Sequence, residues 1–115
     1  MSAPSLDGRW FRSAAAVVGG EVGAATRFAY HQDGDLVWAR YEGGEVRLGF
    51  LVGTRTQDRL DFRYTHVNGA GETATGHCAS EIVVTAQGLR LHETWSWESR
   101  PGSGTSVLEE VTPES

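Results

Sequence analysis

The chain lacks lysine altogether, holds a single cysteine and has only three prolines in 115 residues. One cysteine, Cys78, excludes an internal disulfide and a cysteine-rich zinc module. Without lysine there is no Schiff-base chemistry. All ten basic residues are arginine, which we read as the coding bias of a GC-rich bacterial genome. Fifteen acids outweigh them, for a formal net charge of −5, and no arginine-rich run offsets that balance. Binding to a nucleic-acid backbone is therefore not expected. The first twenty residues show neither a basic start nor a continuous apolar run, so no signal peptide is expected. No stretch approaches the roughly 18 apolar residues of a membrane-spanning helix. The expectation is a cytoplasmic protein with one domain over 1–115 and short flexible tails at 1–6 and 112–115.

What is abundant is glycine, with fifteen residues. Turn signals recur at Gly19-Gly20, Asp33-Gly34, Gly43-Gly44, Gln57-Asp58, Asn68-Gly69, Gln87-Gly88 and Pro101-Gly102. Between them lie segments rich in Val, Leu, Thr, Tyr, Phe and Trp, many alternating with polar residues. This predicts eight strands, at 9–18, 22–31, 35–42, 45–54, 59–67, 72–84, 89–98 and 105–111. Short loops make successive strands antiparallel neighbours. Eight of them close into an all-β, up-and-down barrel without exposed edges.

Loop lengths set the pairing register, and register decides which side chains share a face. A three-residue loop at Gln32 to Gly34 pairs Tyr30 with Leu36 and Phe28 with Trp38. A Gly43-Gly44 turn then sets Trp38 opposite Gly49 and Leu36 opposite Leu51. A four-residue loop at Arg55 to Asp58 matches Leu51 with Phe62 and Gly49 with Tyr64. Gly76 then falls against Tyr64 and Trp97, Cys78 against Phe62 and Trp95, and Ser80 against Glu93. The common face interleaves large rings with Gly49, Gly76 and Cys78, which leaves room inside a barrel of this size.

Gly8-Arg9-Trp10 opens the first strand. In this Gly-x-Trp start and its eight-strand meander the chain resembles the calycin group of lipocalins, fatty-acid-binding proteins and avidins. It is also similar to a family of short bacterial proteins labelled as N-acetylglutamate synthases. That likeness rests on Tyr41-Glu-Gly-Gly-Glu45, Gly49-Phe-Leu-Val-Gly53, Asp61-Phe-Arg-Tyr64, Gly76-His-Cys-Ala-Ser80, Leu89-Arg-Leu-His-Glu-Thr-Trp-Ser-Trp97 and Ser106-Val-Leu-Glu-Glu110. The resemblance implies a small β-barrel. An acetyltransferase is not expected, because an acetyl-CoA pocket normally uses a glycine-rich turn leading into a helix, and none is predicted.

Glu93 is the main candidate for chemistry. Its strand neighbours on the same face, Leu89, Leu91, Trp95 and Trp97, are all apolar. A carboxyl among indoles is poorly solvated, so its pKa should rise above about 4.3 and fit it for acid–base work. The plainer alternative is a structural carboxylate bonded to Ser80, to an arginine or to a Trp N–H. Tyr64 and His66 share one face, and the register puts Arg47 opposite His66 and Arg40 opposite Arg47. Together these would form an anion-favouring end; otherwise Arg40 and Arg47 are a solvated rim paired with glutamates. His31, His77 and His92 are weaker candidates: His77 with Cys78, and His92 with Glu93, are strand neighbours that point to opposite faces, so no metal site is expected. Cys78, packed between rings, behaves as a small hydrophobe.

The expected function is enclosure of a small apolar or anionic organic molecule, without a cofactor. The expected lining is Tyr30, Trp38, Arg40, Leu51, Phe62, Cys78, Trp95 and Trp97, with Trp10 also available. The alternative is a cofactor-free cyclase or isomerase of a polyketide- or terpenoid-like substrate, using Glu93, His66 and Tyr64. A structural or partner-binding barrel is a third possibility. The same register sends Val37, Ala39, Tyr41, Val46, Leu48, Phe50 and Val52 outward, an apolar patch that suggests a homodimer through strands three and four. A one-residue slip in that hairpin would instead make these residues core and put Trp38 and Arg40 outside.

Overall fold

The computed structural model describes residues 3–14 and 21–112. Eight antiparallel strands follow one another around a closed barrel, and the first pairs with the last. They are β1 (Trp10–Ser13), β2 (Arg27–Asp33), β3 (Leu36–Gly43), β4 (Val46–Thr56), β5 (Arg59–Asn68), β6 (Thr73–Thr85), β7 (Gly88–Trp97) and β8 (Ser103–Val111). This is the up-and-down, calycin-like barrel expected from the strand pattern. The far part of the first predicted strand and the Gly19-Gly20 turn lie outside the described residues. The second strand starts at Arg27 rather than 22 because Gly23 to Thr26 form a turn. There the Thr26 amide donates to the Gly23 carbonyl at 2.9 Å, and the Thr26 hydroxyl donates to the Gly43 carbonyl at 3.0 Å.

Two hairpins depart from the expected register, and their effects partly cancel. The β2–β3 turn has two residues rather than three, so Asp33 pairs with Leu36 and Tyr30 with Ala39. An odd shift flips every β3 side chain. Val37, Ala39 and Tyr41 face the core, whereas Leu36, Trp38 and Arg40 face outward. A bulge between Tyr41 and Gly43 then shifts the β3–β4 pairing by one, so Gly49 and Leu51 still point inward. The β4–β5 loop is also two residues long. It moves the register by two and keeps the faces, seating Leu51 beside Tyr64 and Gly49 beside His66. From Phe62 onward the expected pairs are the observed ones: Phe62 with Cys78, Tyr64 with Gly76, Cys78 with Trp95 and Ser80 with Glu93.

The two ends of the barrel are filled differently. Near the β2–β3, β4–β5 and β6–β7 turns the interior is aliphatic and closed, with Leu60, Ile82, Leu89, Leu91 and Leu108 all buried. The segment before β1 packs against it, with Leu6 at 0 % exposure. Removing a leucine from water in this way stabilises by roughly 1.5–3 kcal/mol. Polar contacts hold the segment down. Arg55 donates to the carbonyls of Ala3 at 2.6 Å and Pro4 at 2.8 Å, and Asp58 accepts the Ala3 amide at 2.7 Å. The Leu6 amide donates to Gln32 at 3.0 Å. Ala3 to Leu6 are therefore part of the packed fold rather than a free tail.

Candidate functional site

The half of the barrel nearer the β3–β4 and β5–β6 turns is not filled. Phe28, Tyr41, Leu51, Phe62, Tyr64, Trp95 and Trp97 surround a cavity of about 490 Å³ counted out to its solvent side. Within it the centre of a water-sized sphere has only about 50 Å³ to move in. The space is thus a slot between rings, suited to a slim molecule. Phe28 stacks on Tyr41 with centroids 4.8 Å apart, while Tyr64, Trp97 and Trp95 meet edge to face at 5.7 and 5.8 Å. Glycines set the width. A Cβ on Gly49 would collide with the Tyr41 ring, and one on Gly76 with the Tyr64 hydroxyl. Both rings therefore lie against the wall instead of filling the centre.

Glu93, Cys78 and Ser106 sit at the inner end of the slot. Glu93 projects from β7 and is half-buried, and its Oε1 accepts a hydrogen bond from Ser106 on β8 at 2.9 Å. Burial pushes its pKa up to about 7, while hydrogen bonds from Ser106 and Cys78 pull in the other direction. Near neutral pH it can therefore either donate or accept a proton. Ser80 faces Glu93 across the ladder, but the hydrogen bond runs to Ser106 instead. Burial, and next the charge of Glu93, push the Cys78 thiol well above its ordinary range, so it is a wall and not a nucleophile.

The outer end carries a second polar group. Tyr41 Oη lies 3.0 Å from His66 Nδ1, and His66 Nε2 lies 2.9 Å from Glu21 Oε1. Asn68 donates to Glu21 Oε2 at 2.8 Å, and Arg100 reaches Glu21 Oε1 at 3.2 Å. The Arg100 guanidinium also lies over Trp97, 4.3 Å from the ring centroid. Burial acts to raise the Glu21 pKa. Hydrogen bonds from Asn68 and His66, with the charges of His66 and Arg100, outweigh it and leave the carboxyl below its usual value. Burial drives the Tyr41 and Tyr64 hydroxyls upward, so both stay protonated at neutral pH.

Of the residues singled out from the sequence, Glu93, Tyr64, His66, Leu51, Phe62, Cys78, Trp95 and Trp97 meet around this one slot. Tyr30 is fully buried but packs edge to face on Phe11. Two placements are corrected by the flip of β3. Trp38 is 37 % exposed on the outer face, stacked on His31. Arg40 is exposed there and pairs with Glu42 at 3.4 Å. Arg47 is exposed beside a register shift, and Gly49, not Arg47, pairs with His66, so the expected arginine pair at the barrel end does not form. Trp10 is half-buried and alternates with inward-facing Phe11. His77 lies outside with Asp61 at 2.8 Å, and no cluster of metal-ligating side chains occurs among the described residues.

Sequence reasoning missed Tyr41, Glu21 and Ser106. Tyr41 was lost with the parity of β3. Ser106 could have been found by carrying the pairing from β7 across the Glu98–Gly102 loop. Glu21 precedes a turn that hydrophobic alternation does not mark.

A closed calycin-type barrel with an aromatic-lined interior is the class that this fold and slot define. The chain belongs to the avidin-like protein family, whose model matches residues 4–111. No curated protein and no solved structure shows a significant match to it. Neither the fold nor the family match lends support to the N-acetylglutamate synthase label.

Proposed function

We propose that the protein is a small-molecule binder that encloses a slim, mostly apolar, uncharged organic ligand, with one polar atom of the ligand directed at Glu93. The observation that carries this reading is the slot itself, walled by aromatic rings and holding one half-ionised carboxyl at its inner end. An anionic ligand is disfavoured. Glu93 repels it, and the nearest cation, Arg100, is already engaged by Glu21 and Trp97. The reading includes a cytoplasmic setting. In support, the outer face of β5 to β7 presents Arg59, Asp61, Arg63, Glu81 and His92 to solvent, unlike the apolar belt of an outer-membrane barrel. Native mass spectrometry of the purified protein tests the proposal. The expected result is a co-purifying organic molecule that Leu51→Trp, which fills the slot, excludes. A slot that never retains or accepts an apolar ligand overturns it.

Glu93 favours a second reading, a cofactor-free isomerase or cyclase. A carboxyl titrating close to neutrality among rings suits general acid–base work. Turnover that Glu93→Gln abolishes while leaving ligand affinity intact separates the enzyme from the binder.

A further inference from the structure

We propose that the slot catalyses proton transfer at a carbon adjacent to a carbonyl group, with Glu93 as base at the inner end and the Tyr41 hydroxyl as hydrogen-bond donor to the carbonyl oxygen. The proposal rests on the small-molecule reading and deepens the second, catalytic one by naming the reaction and the residue at the carbonyl oxygen.

The outer end of the slot holds a chain of polar groups that a binding wall does not need. Tyr41 and His66 are 2 % and 3 % exposed, in a region otherwise walled by rings. Burying phenol and imidazole there costs free energy unless each is hydrogen-bonded. They are bonded in line, Tyr41 to His66 Nδ1 and His66 Nε2 to Glu21. Glu21 is itself fixed by Asn68 and Arg100. A carboxylate that orients an imidazole, which in turn addresses a hydroxyl, is the arrangement by which proteins move protons to and from a reacting atom. Here the hydroxyl belongs to a residue that lines the slot, and the carboxyl of Glu93 lines the same slot.

The step balances without any further reactant. Glu93 carboxylate takes the proton from the carbon, the C–H electron pair becomes the C=C bond of the enolate, and the carbonyl π pair moves onto oxygen. The Tyr41 hydroxyl, held by His66 Nδ1, stabilises that oxygen by donating a hydrogen bond to it. In reversal Glu93 returns the proton to the same carbon or to a conjugated one, and the carbonyl π bond re-forms. Tyr41 and Glu93 touch the substrate; His66 and Glu21 are positioning residues.

β-Tetralone, a flat bicyclic ketone, serves as the probe. Tryptophan fluorescence reports its binding, and NMR in D2O follows deuterium entering the carbon between its carbonyl and aromatic ring. The wild-type protein is expected to accelerate exchange at least about tenfold over buffer. Glu93→Gln and Tyr41→Phe should fall back to the buffer rate, and His77→Gln, on the outer face, should not. Glu21→Gln is expected to keep the tetralone affinity and lose most of the exchange, a split that a purely structural role does not produce. It also decides the matter should Tyr41→Phe fail to fold. Binding with exchange at the buffer rate overturns the proposal and leaves the small-molecule reading standing, as does a folded Tyr41→Phe variant that matches wild type. Absence of any fluorescence change up to the solubility limit overturns the proposal, and only together with no co-purifying organic molecule in native mass spectrometry does it remove the small-molecule reading as well.

Discussion

The two carboxyls that line the slot, Glu93 and Glu21, respond to pH in opposite directions. Glu93 has its folded-state value raised from the usual 4.5 to about 7, so between those values the folded protein holds more protons than the unfolded chain. Stability therefore falls as pH rises through that window and levels off above it. The displacement corresponds to at most about 3 kcal/mol, and the residual accessibility of Glu93 reduces this. Glu21 is lowered, so its contribution is present above the ordinary carboxylate range and is lost as pH falls through its folded value. Glu93→Gln removes the first effect alone. Thermal melts should show the variant level with wild type near pH 5 and more stable by about 1–3 kcal/mol near pH 8. A wild-type-minus-variant difference that does not change with pH is the contrary result. An unshifted carboxyl titration by NMR would equally refute the assignment.

Among the elements, the segment before β1 and the small residues of β4 and β6 make separable contributions. Leu6→Ala opens the packed end and should cost about 2–4 kcal/mol in urea unfolding, with the slot unchanged. Gly76→Ala places a methyl against the Tyr64 hydroxyl and the Ser96 carbonyl. It should cost about 1–3 kcal/mol and weaken ligand binding by pushing Tyr64 into the slot. Element count and type were legible from turn residues and alternation, because both are local. So was the pairing of β5, β6 and β7, where Asn68 to Gly71 and the Ala86-Gln87 turn leave little choice of length. The face of β3 was not legible. Gly34 has a left-handed φ of 61° and suits either a two- or a three-residue turn, and both faces of β3 are apolar enough to be core. Glu93 was found because one acid among apolar neighbours on a strand is a local pattern. Tyr41, His66 and Glu21 meet only after the barrel closes, and their contact follows from the bulge between Tyr41 and Gly43.

For the whole molecule, turning β3 over replaces the expected β3 half of the outer patch, while Phe50 and Val52 of β4 face outward as expected. Val37, Ala39, Tyr41 and Val46 are core, whereas Leu36, Trp38, Phe50 and Val52 lie outside, with Phe50 51 % exposed. Trp38 pairs with Val52 across the ladder, so the patch is continuous over both strands. Soluble monomers seldom leave such a surface wet, and an isologous contact across β3 and β4 is the expected arrangement. Phe50→Glu should turn a dimer into a folded monomer in analytical ultracentrifugation. A wild-type protein that sediments as a monomer at high concentration counts against it. The placement of the chain ends also has a practical side. Ala3 is tied to Asp58, and Val111 pairs with Trp10, so both ends of the described chain emerge beside the packed half. Tethering the protein to a sensor surface through a side chain beside Ala3 or Val111 would therefore point the slot away from the support, ready to sample molecules flowing past.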